Sequence, residues 1–237
     1  MKKLRCPPRG ACLAFIASVA GTGLAAIPAR AEPRLIVVEL FTSQACSSCP
    51  PADALLRDLA RRPDVVALGF HVTYWNGPGW RDPFASDAAT ERQKAYGRRF
   101  NGGQVYTPEI VVDGADDMVG SDRGAVLGAL AKPRESAAAP VAFSSDGSSV
   151  TIGKGAGRGA VTLIRFLAQR TTDVAGGENA GKRLLDANAV RTIEPLGNWD
   201  GSPLTLPIKP PATGEGVAVL VQAAAGPILG AMARGGE

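Results

Sequence analysis

Two cysteines separated by two residues, Cys46-Ser47-Ser48-Cys49, are the residues best equipped for chemistry. Thiols at that spacing reach each other within one helical turn, and a thiolate at a helix N-terminus is stabilised by the positive end of the helix dipole. The pair sits at such a junction, after the strand-like run Leu35 to Phe41 and before the helix-like run Pro50 to Ala60. An exposed Cys46 with a lowered pKa would there be an attacking group. His71, the only histidine, closes a second strand-like run. As a cation it would lower a thiolate pKa; as a neutral ring it could ligate a metal with Cys46 and Cys49; flanked by Phe70, Tyr74 and Trp75, it also reads as a hydrogen-bonded packing residue.

The elements that must position these groups follow from the pattern. Leu35 to Phe41 is a continuous β-branched and apolar run, the sign of a strand buried on both faces. Pro50 and Pro51 are compatible with the first turn of a helix, where backbone N–H groups have no intrahelical partner. Asp64 to Val72 reads as a second buried strand, parallel to the first because a helix makes the crossover. Ser86 to Phe100 reads as a second helix, with Ser86 as its cap. A strand from Ile110 to Val112 should pair antiparallel with Asp117 to Val119 across an Asp113-Gly114 turn, and a third helix from Ser121 to Leu130 closes the unit. The order β-α-β-α-β-β-α, with a Cys-x-x-Cys after the first strand and a proline before the third, is that of an α/β thioredoxin-like domain, a central mixed sheet flanked by helices.

Composition shifts over residues 132–140, which places a thioredoxin-like domain at 32–132 and a β-rich C-terminal domain at 140–237. Strand candidates in the second part are Val141 to Phe143, Val150 to Ile152, Ala160 to Gln169, Ala189 to Leu196, Leu204 to Pro207 and Gly216 to Ala223, with Asp146-Gly147 as a turn. Short strands separated by Gly and Pro predict a small, mostly antiparallel β-sandwich.

Lys2, Lys3, Arg5 and Arg9, an apolar stretch from Ala11 to Ile27, and Ala29-Arg30-Ala31 read as a signal peptide over residues 1–31, cleaved before Glu32. Gly21, Gly23, Ser18 and Pro28 fit a cleaved segment better than a membrane span of ~20 residues. The expected compartment is periplasmic or secreted, with no stable membrane insertion after cleavage. Cleavage removes Cys6, Cys12 and five of the 26 basic residues, so a net charge of +4 becomes −1 and no nucleic-acid footprint remains. A single cysteine pair in a chain this long is better explained by redox or metal chemistry than by a disulfide scaffold.

The run Glu39 to Asp53 with its Cys-Ser-Ser-Cys centre, His71-Val72-Thr73-Tyr74-Trp75, Trp80-Arg81-Asp82-Pro83-Phe84, Tyr106-Thr107-Pro108, Glu178 to Lys182 and Val190-Arg191 resemble the bacterial secreted thioredoxin-like proteins of domain-of-unknown-function family 1223. That resemblance implies a thioredoxin-like domain in an exported protein with no settled reaction. The broader thioredoxin resemblance implies that Cys46 is the nucleophile, Cys49 the resolving cysteine, and Thr107-Pro108 a cis bond beside the dithiol, where backbone could pair with a substrate peptide. Glu39 is spaced like the buried acid of thioredoxins and could accept the Cys49 proton, burial raising its pKa. Its alternative is a carboxylate that bonds to the Thr42-Ser43-Gln44 loop or pairs with an arginine. Trp75, Trp80 and Tyr106 could wall a peptide site above the dithiol, or pack the long 73–84 loop onto the domain.

Three functions stay open. The first is a thiol–disulfide oxidoreductase acting on exported protein thiols or disulfides, with no dissociable cofactor. The second is a Cu(I)-handling protein using the same thiols. The third is a redox-inert binding module whose disulfide is structural.

Overall fold

The computed structural model describes residues 34–133, 138–224 and 226–235. The signal-peptide reading of residues 1–31, and part of the 132–140 boundary, lie outside them. Eleven strands and three helices are present among the described residues: β1 (Ile36–Thr42), α1 (Pro50–Leu59), β2 (Val65–His71), α2 (Asp87–Phe100), β3 (Glu109–Val112), β4 (Asp116–Val119), α3 (Arg123–Leu130), β5 (Val141–Phe143), β6 (Ser149–Ile152), β7 (Gly159–Asp173), β8 (Arg183–Trp199), β9 (Leu204–Pro207), β10 (Glu215–Gln222) and β11 (Ile228–Arg234).

A mixed eight-stranded sheet runs β11-β10-β7-β8-β2-β1-β3-β4, and β5-β6-β9 form a separate three-stranded one. β1 and β2 are parallel, with Ile36 opposite Val65 and Thr42 opposite His71, because α1 carries the chain across. β3 and β4 close the edge as an antiparallel hairpin turning through Asp113 and Gly114, both at positive φ. Ser86 accepts the Ala89 N–H at 3.2 Å and caps α2.

The expectation of a separate β-rich unit after residue 140 meets a different arrangement. β7, β8, β10 and β11 extend the same sheet that holds β1 to β4, because β8 lies parallel to β2 with Ala189 opposite Gly69. A side chain at Gly69 would stand 3.2 Å from the Ala187 carbonyl and 3.3 Å from Leu56, so the glycine lets the two halves approach. Asn188, at φ 48°, donates from Nδ2 to the Ala67 carbonyl at 2.8 Å and secures the same seam. The sheet curls enough for the Ile228 N–H, on the far edge strand, to donate to the Asp113 carbonyl at 2.8 Å.

Alternation along the strands sorts the core into three clusters. Ile36, Val38 and Leu40 face α1 and α3, whose Leu55, Leu56, Leu59, Val126 and Leu130 complete one. Val37, Phe41, Leu68, Phe70 and Val111 face the other way, towards Tyr96 of α2 and towards Phe166 and Leu220. The small sheet packs Val150 and Ile152 onto Val161, Leu163, Val217, Val219 and Trp199. The predicted sandwich is therefore shared, one layer being the far half of the large sheet.

Candidate functional site

Cys46 and Cys49 form a disulfide with their Cα atoms 5.5 Å apart. Cys49 is the N-cap of α1, and Pro50 and Pro51 occupy its first positions. The Thr107–Pro108 peptide bond is cis. It brings the Thr107 hydroxyl to the disulfide, where it donates to Cys46 Sγ at 3.4 Å and accepts from Trp75 Nε1 at 2.8 Å. The Ser48 hydroxyl lies 3.3 Å from the same sulfur.

Cys46 is not the exposed group that its place in the motif predicts: both cysteines are fully buried. The β7–β8 connection, residues 174–182, is hydrogen-bonded to the turn that carries Cys46, so the second half of the chain completes the site. Asn179, itself fully buried, donates from Nδ2 to the Gln44 and Cys46 carbonyls at 3.0 and 2.8 Å. The Glu178 N–H donates to the Ala45 carbonyl at 3.2 Å, while its carboxylate accepts from the Ser47 N–H at 2.9 Å and the Ser47 hydroxyl at 2.7 Å. Those two Ser47 donors, hydroxyl first, hold the Glu178 carboxyl below the usual range. Gly177, at φ 72°, is pressed so close that a Cβ there would meet Ala45 at 3.0 Å.

Beneath the Cys46 turn lies a buried cluster of four ionisable side chains drawn from four segments. His71 of β2 donates from Nδ1 to Asp82 Oδ2 at 2.7 Å, and its Nε2 is 3.9 Å from Asp186 of β8. Burial alone would depress the His71 pKa, but Asp82 outweighs it, with help from Asp186 and Asp53, and raises it to about 9. Asp82 also accepts from the Gln44 and Phe84 N–H groups; against burial, His71 and these bonds keep its pKa low. Gln44 Nε2 donates to Asp186 at 2.7 Å and to Thr172 at 2.9 Å, tying the turn to both long strands. Burial raises the Asp186 pKa.

Asp53 is the fourth member, one turn along α1 from Cys49, and its N–H donates to the Cys49 carbonyl at 3.1 Å. It accepts from the Thr42 hydroxyl at 2.8 Å. Burial, with Asp186 adding to it and His71 opposing, raises its carboxyl to about 7.

Glu39 occupies a different place from the one its spacing suggests. It shares its strand face with Val37 and Phe41, opposite to the face on which α1 packs. Its fully buried carboxylate pairs with Arg92 of α2, through both the Nε and Nη2 groups, and accepts from the Tyr96 hydroxyl at 2.7 Å. The arginine-paired alternative is the one the fold adopts. The acid in contact with the motif helix is Asp53, whose signal in the sequence is an acidic residue four positions after Cys49, the i,i+4 neighbour on a helix.

Trp75 is brought to the dithiol through Thr107, whereas Tyr106 directs its hydroxyl to Asp117 at 3.4 Å. Trp80 pairs backbone with Gly77 and packs its Cβ against Gly176 of the 174–182 loop; its buried Nε1 has no acceptor among the described residues. Glu109, directly after the cis proline, is buried, receives Gln93 Nε2 at 2.7 Å and has a pKa raised by burial to about 7, with Oε1 unpartnered among the described residues. Its signal was an acid at the mouth of a strand. Among the described residues no group of three or more His, Cys, Asp or Glu side chains could hold a metal ion, and both His71 nitrogens face carboxylates. Nor is any described helix long and apolar enough to cross a membrane.

Comparison with known proteins places this geometry in a family. No curated protein matches the chain. A crystal structure of a protein from Agrobacterium tumefaciens is 36% identical, with a TM-score of 0.73 over 87% of this chain and 96% of that one. HBP35 of Porphyromonas gingivalis shares the fold at 13% identity, with a TM-score of 0.57 over 86% of this chain and 76% of that one. Residues 37–222, which contain both the Cys-x-x-Cys turn and the loop bonded to it, match the model of a protein family of unknown function, DUF1223, and the chain belongs to that family.

Proposed function

We propose that this chain is an exported thiol–disulfide oxidoreductase on a thioredoxin-like scaffold, exchanging the Cys46–Cys49 disulfide with thiols of other exported proteins. The observation that carries this reading is the placement of the disulfide at the start of α1 against a cis Thr107–Pro108 bond, with the Thr107 hydroxyl on Cys46 Sγ. Export rests on the N-terminal sequence pattern alone.

In the exchange, a partner thiolate attacks Cys46 Sγ, the Cys46–Cys49 bond breaks, and its electron pair leaves on Cys49. That thiolate needs a proton, and Asp53, rather than Glu39, is the carboxyl able to supply one near neutral pH from the same helix face. A second thiol of the partner then attacks the partner sulfur of the mixed disulfide; the Cys46 thiolate leaves, and the partner is oxidised while Cys46 and Cys49 become the dithiol. Thr107 and Ser48 offer hydroxyl donors to a Cys46 thiolate. Both cysteines are buried, so partner access requires their surroundings to move, and the 174–182 loop, which Asn179 and Glu178 bond to the Cys46 turn, is the segment assigned that movement.

The complete burial of both cysteines also favours a second reading, a redox-inert module with a structural disulfide. Trapping separates the two. The Cys49→Ser variant, secreted in its native host and isolated under alkylating conditions, is expected to carry partners bound through Cys46 that a Cys46→Ser/Cys49→Ser control lacks. No trapped partner, together with a reduction potential below about −300 mV, would move the assignment to the inert module.

A further inference from the structure

Glu178 is a carboxylate beside the disulfide that the exchange does not use. The turn it contacts is short of donors. Pro50 and Pro51, the first helical residues of α1, carry no N–H; the Ala52 and Asp53 N–H groups turn back to the Cys49 carbonyl, and the Cys49 N–H to the Cys46 carbonyl. A thiolate at Cys46 therefore relies on what surrounds it in the 46–48 turn: the Ser48 and Thr107 hydroxyls at 3.3 and 3.4 Å, and the electropositive end of α1. At that same end Glu178 already holds both the N–H and the hydroxyl of Ser47, the residue following Cys46.

We infer that Glu178 is a positioning residue that sets the redox poise of the pair, disfavouring the Cys46 thiolate and so biasing Cys46–Cys49 towards the disulfide. This rests on the reading of the pair as redox-active. Reduction by a dithiol breaks the Cys46–Cys49 bond and forms two protein thiols while the reductant becomes a disulfide; above its pKa the Cys46 thiol then releases its proton to solvent. The disulfide is neutral and feels the neighbouring carboxylate little. The thiolate is an anion close to another anion and is destabilised by it. Whatever disfavours the thiolate disfavours the reduced state, so Glu178 makes the pair a weaker oxidant than the same motif would be alone.

Other charged groups near the turn are Asp53 of α1, His71 of β2, Asp82 of the 73–84 loop and Asp186 of β8 beneath it, Arg57 of α1, whose charge acts on Asp53 and Asp186, and Lys182, which donates to Asn179 Oδ1 at 2.9 Å in the 174–182 loop. All of them stay in place when Glu178 alone is neutralised.

The test uses the full mature chain and its Glu178→Gln variant, an exposed substitution that keeps the side chain's size. Cys46 ionisation is followed by the pH dependence of alkylation of the reduced protein, and the dithiol–disulfide equilibrium by glutathione buffers at pH 8.5. Glu178→Gln is expected to give about threefold more thiolate at a given pH below the midpoint, from a charge at an exposed helix end. The equilibrium should shift by the same factor towards the dithiol, about 15 mV more oxidising for a two-electron couple. Raising the salt to about 1 M should shrink the difference, since screening acts on the charge and not on packing. Glu178→Lys should move both readouts further in the same direction. Unchanged alkylation profiles and equilibria in both variants, or a shift the other way, would overturn the assignment. These readouts need no partner protein: a thiolate that responds to Glu178 in a chain that traps no partner would sink the oxidoreductase reading and leave the electrostatic one standing.

Discussion

Replacing Asp53 by asparagine tests the buried charge cluster directly. In the folded protein the Asp53 carboxyl has a pKa near 7, raised by burial and by Asp186 against the opposing pull of His71, Thr42 and Arg57; in the unfolded chain it returns to about 3.8. A group whose folded pKa is raised stabilises the fold fully below its unfolded pKa and loses that contribution as pH rises through the folded one. Between pH 4.5 and 6.5 the wild-type protein should therefore lose about 2 kcal/mol through this residue, at about 1.4 kcal/mol per pH unit with curvature near the upper end. Asparagine cannot ionise, and its amide oxygen can still accept the Thr42 hydroxyl. Other groups titrate too: His71 gives up its own contribution between about pH 6.5 and 9, Glu109 behaves like Asp53, and Asp82, with a lowered pKa, stabilises above its unfolded pKa and fails only in acid. These remain in both proteins, so the difference between the two pH slopes isolates Asp53. Urea unfolding of the oxidised proteins at pH 4.5 and 6.5, with equal m-values as the check on a common transition, gives the four free energies required. Equal slopes would mean that Asp53 is ionised throughout, and the proton it is proposed to supply to Cys49 would not exist.

Two further variants probe the cover and the core. Asn179→Ala removes the amide that holds the Gln44 and Cys46 carbonyls, leaving two acceptors unpaired at about 1–3 kcal/mol each if they stay dry. It should speed dithiothreitol reduction of the disulfide by on the order of tenfold, and an unchanged rate would mean that the 174–182 loop does not limit access. Arg92→Met strands the buried Glu39 carboxylate with only the Tyr96 hydroxyl. The expected loss is about 3–5 kcal/mol in urea unfolding, largely relieved in a Glu39→Gln/Arg92→Met double variant. A loss under about 1 kcal/mol would show the pair to be solvated, as surface pairs are.

The first half of the fold was legible because its signals are local. A β-branched run, prolines confined to a first helical turn, a serine cap and an Asp-Gly turn each act within a few residues, and β1 to α3 form where those signals lie. The strand candidates after residue 140 also form, but β7 and β8 run to 15 and 17 residues, through polar stretches that alternation alone does not extend. β11 was illegible: after Ile228 it carries Leu229, Gly230, Ala231 and Met232, with no β-branched side chain, and it is held by pairing with β10. Which sheet these strands join depends on Gly69 and Asn188, whose roles exist only once β8 lies against β2. Glu39 illustrates the same limit at the site. Its burial was readable from the strand, but its partner is Arg92, 53 residues away on a helix whose arginines look alike in sequence.

The cysteine turn is held from both halves of the chain, and this bears on how the site can work. Gln44 reaches Thr172 and Asp186, Asn179 reaches back to Gln44 and Cys46, and His71 lies between the carboxylates of Asp82 and Asp186. Without β7, β8 and their connection, the Cys-x-x-Cys turn would lose the hydrogen bonds from Asn179 and Glu178, and His71 one of its two facing carboxylates. The second half is thus part of the candidate site rather than an appended module, and the proposed exchange at two buried sulfurs needs some of this surrounding structure to move. The connection grips the turn through two amide bonds from Asn179, one backbone bond from Glu178 and two bonds that the Glu178 carboxylate accepts from Ser47, with Gly177 in close packing against Ala45. The loop is also anchored at its base, where Val174 and Asn179 are buried and Gly176 lies against Gly79 and Trp80, so opening it has to break this set of contacts. On the proposed exchange, a partner has to displace Asn179 and Glu178 from the turn before any sulfur is exchanged, and that displacement is where selectivity would be set.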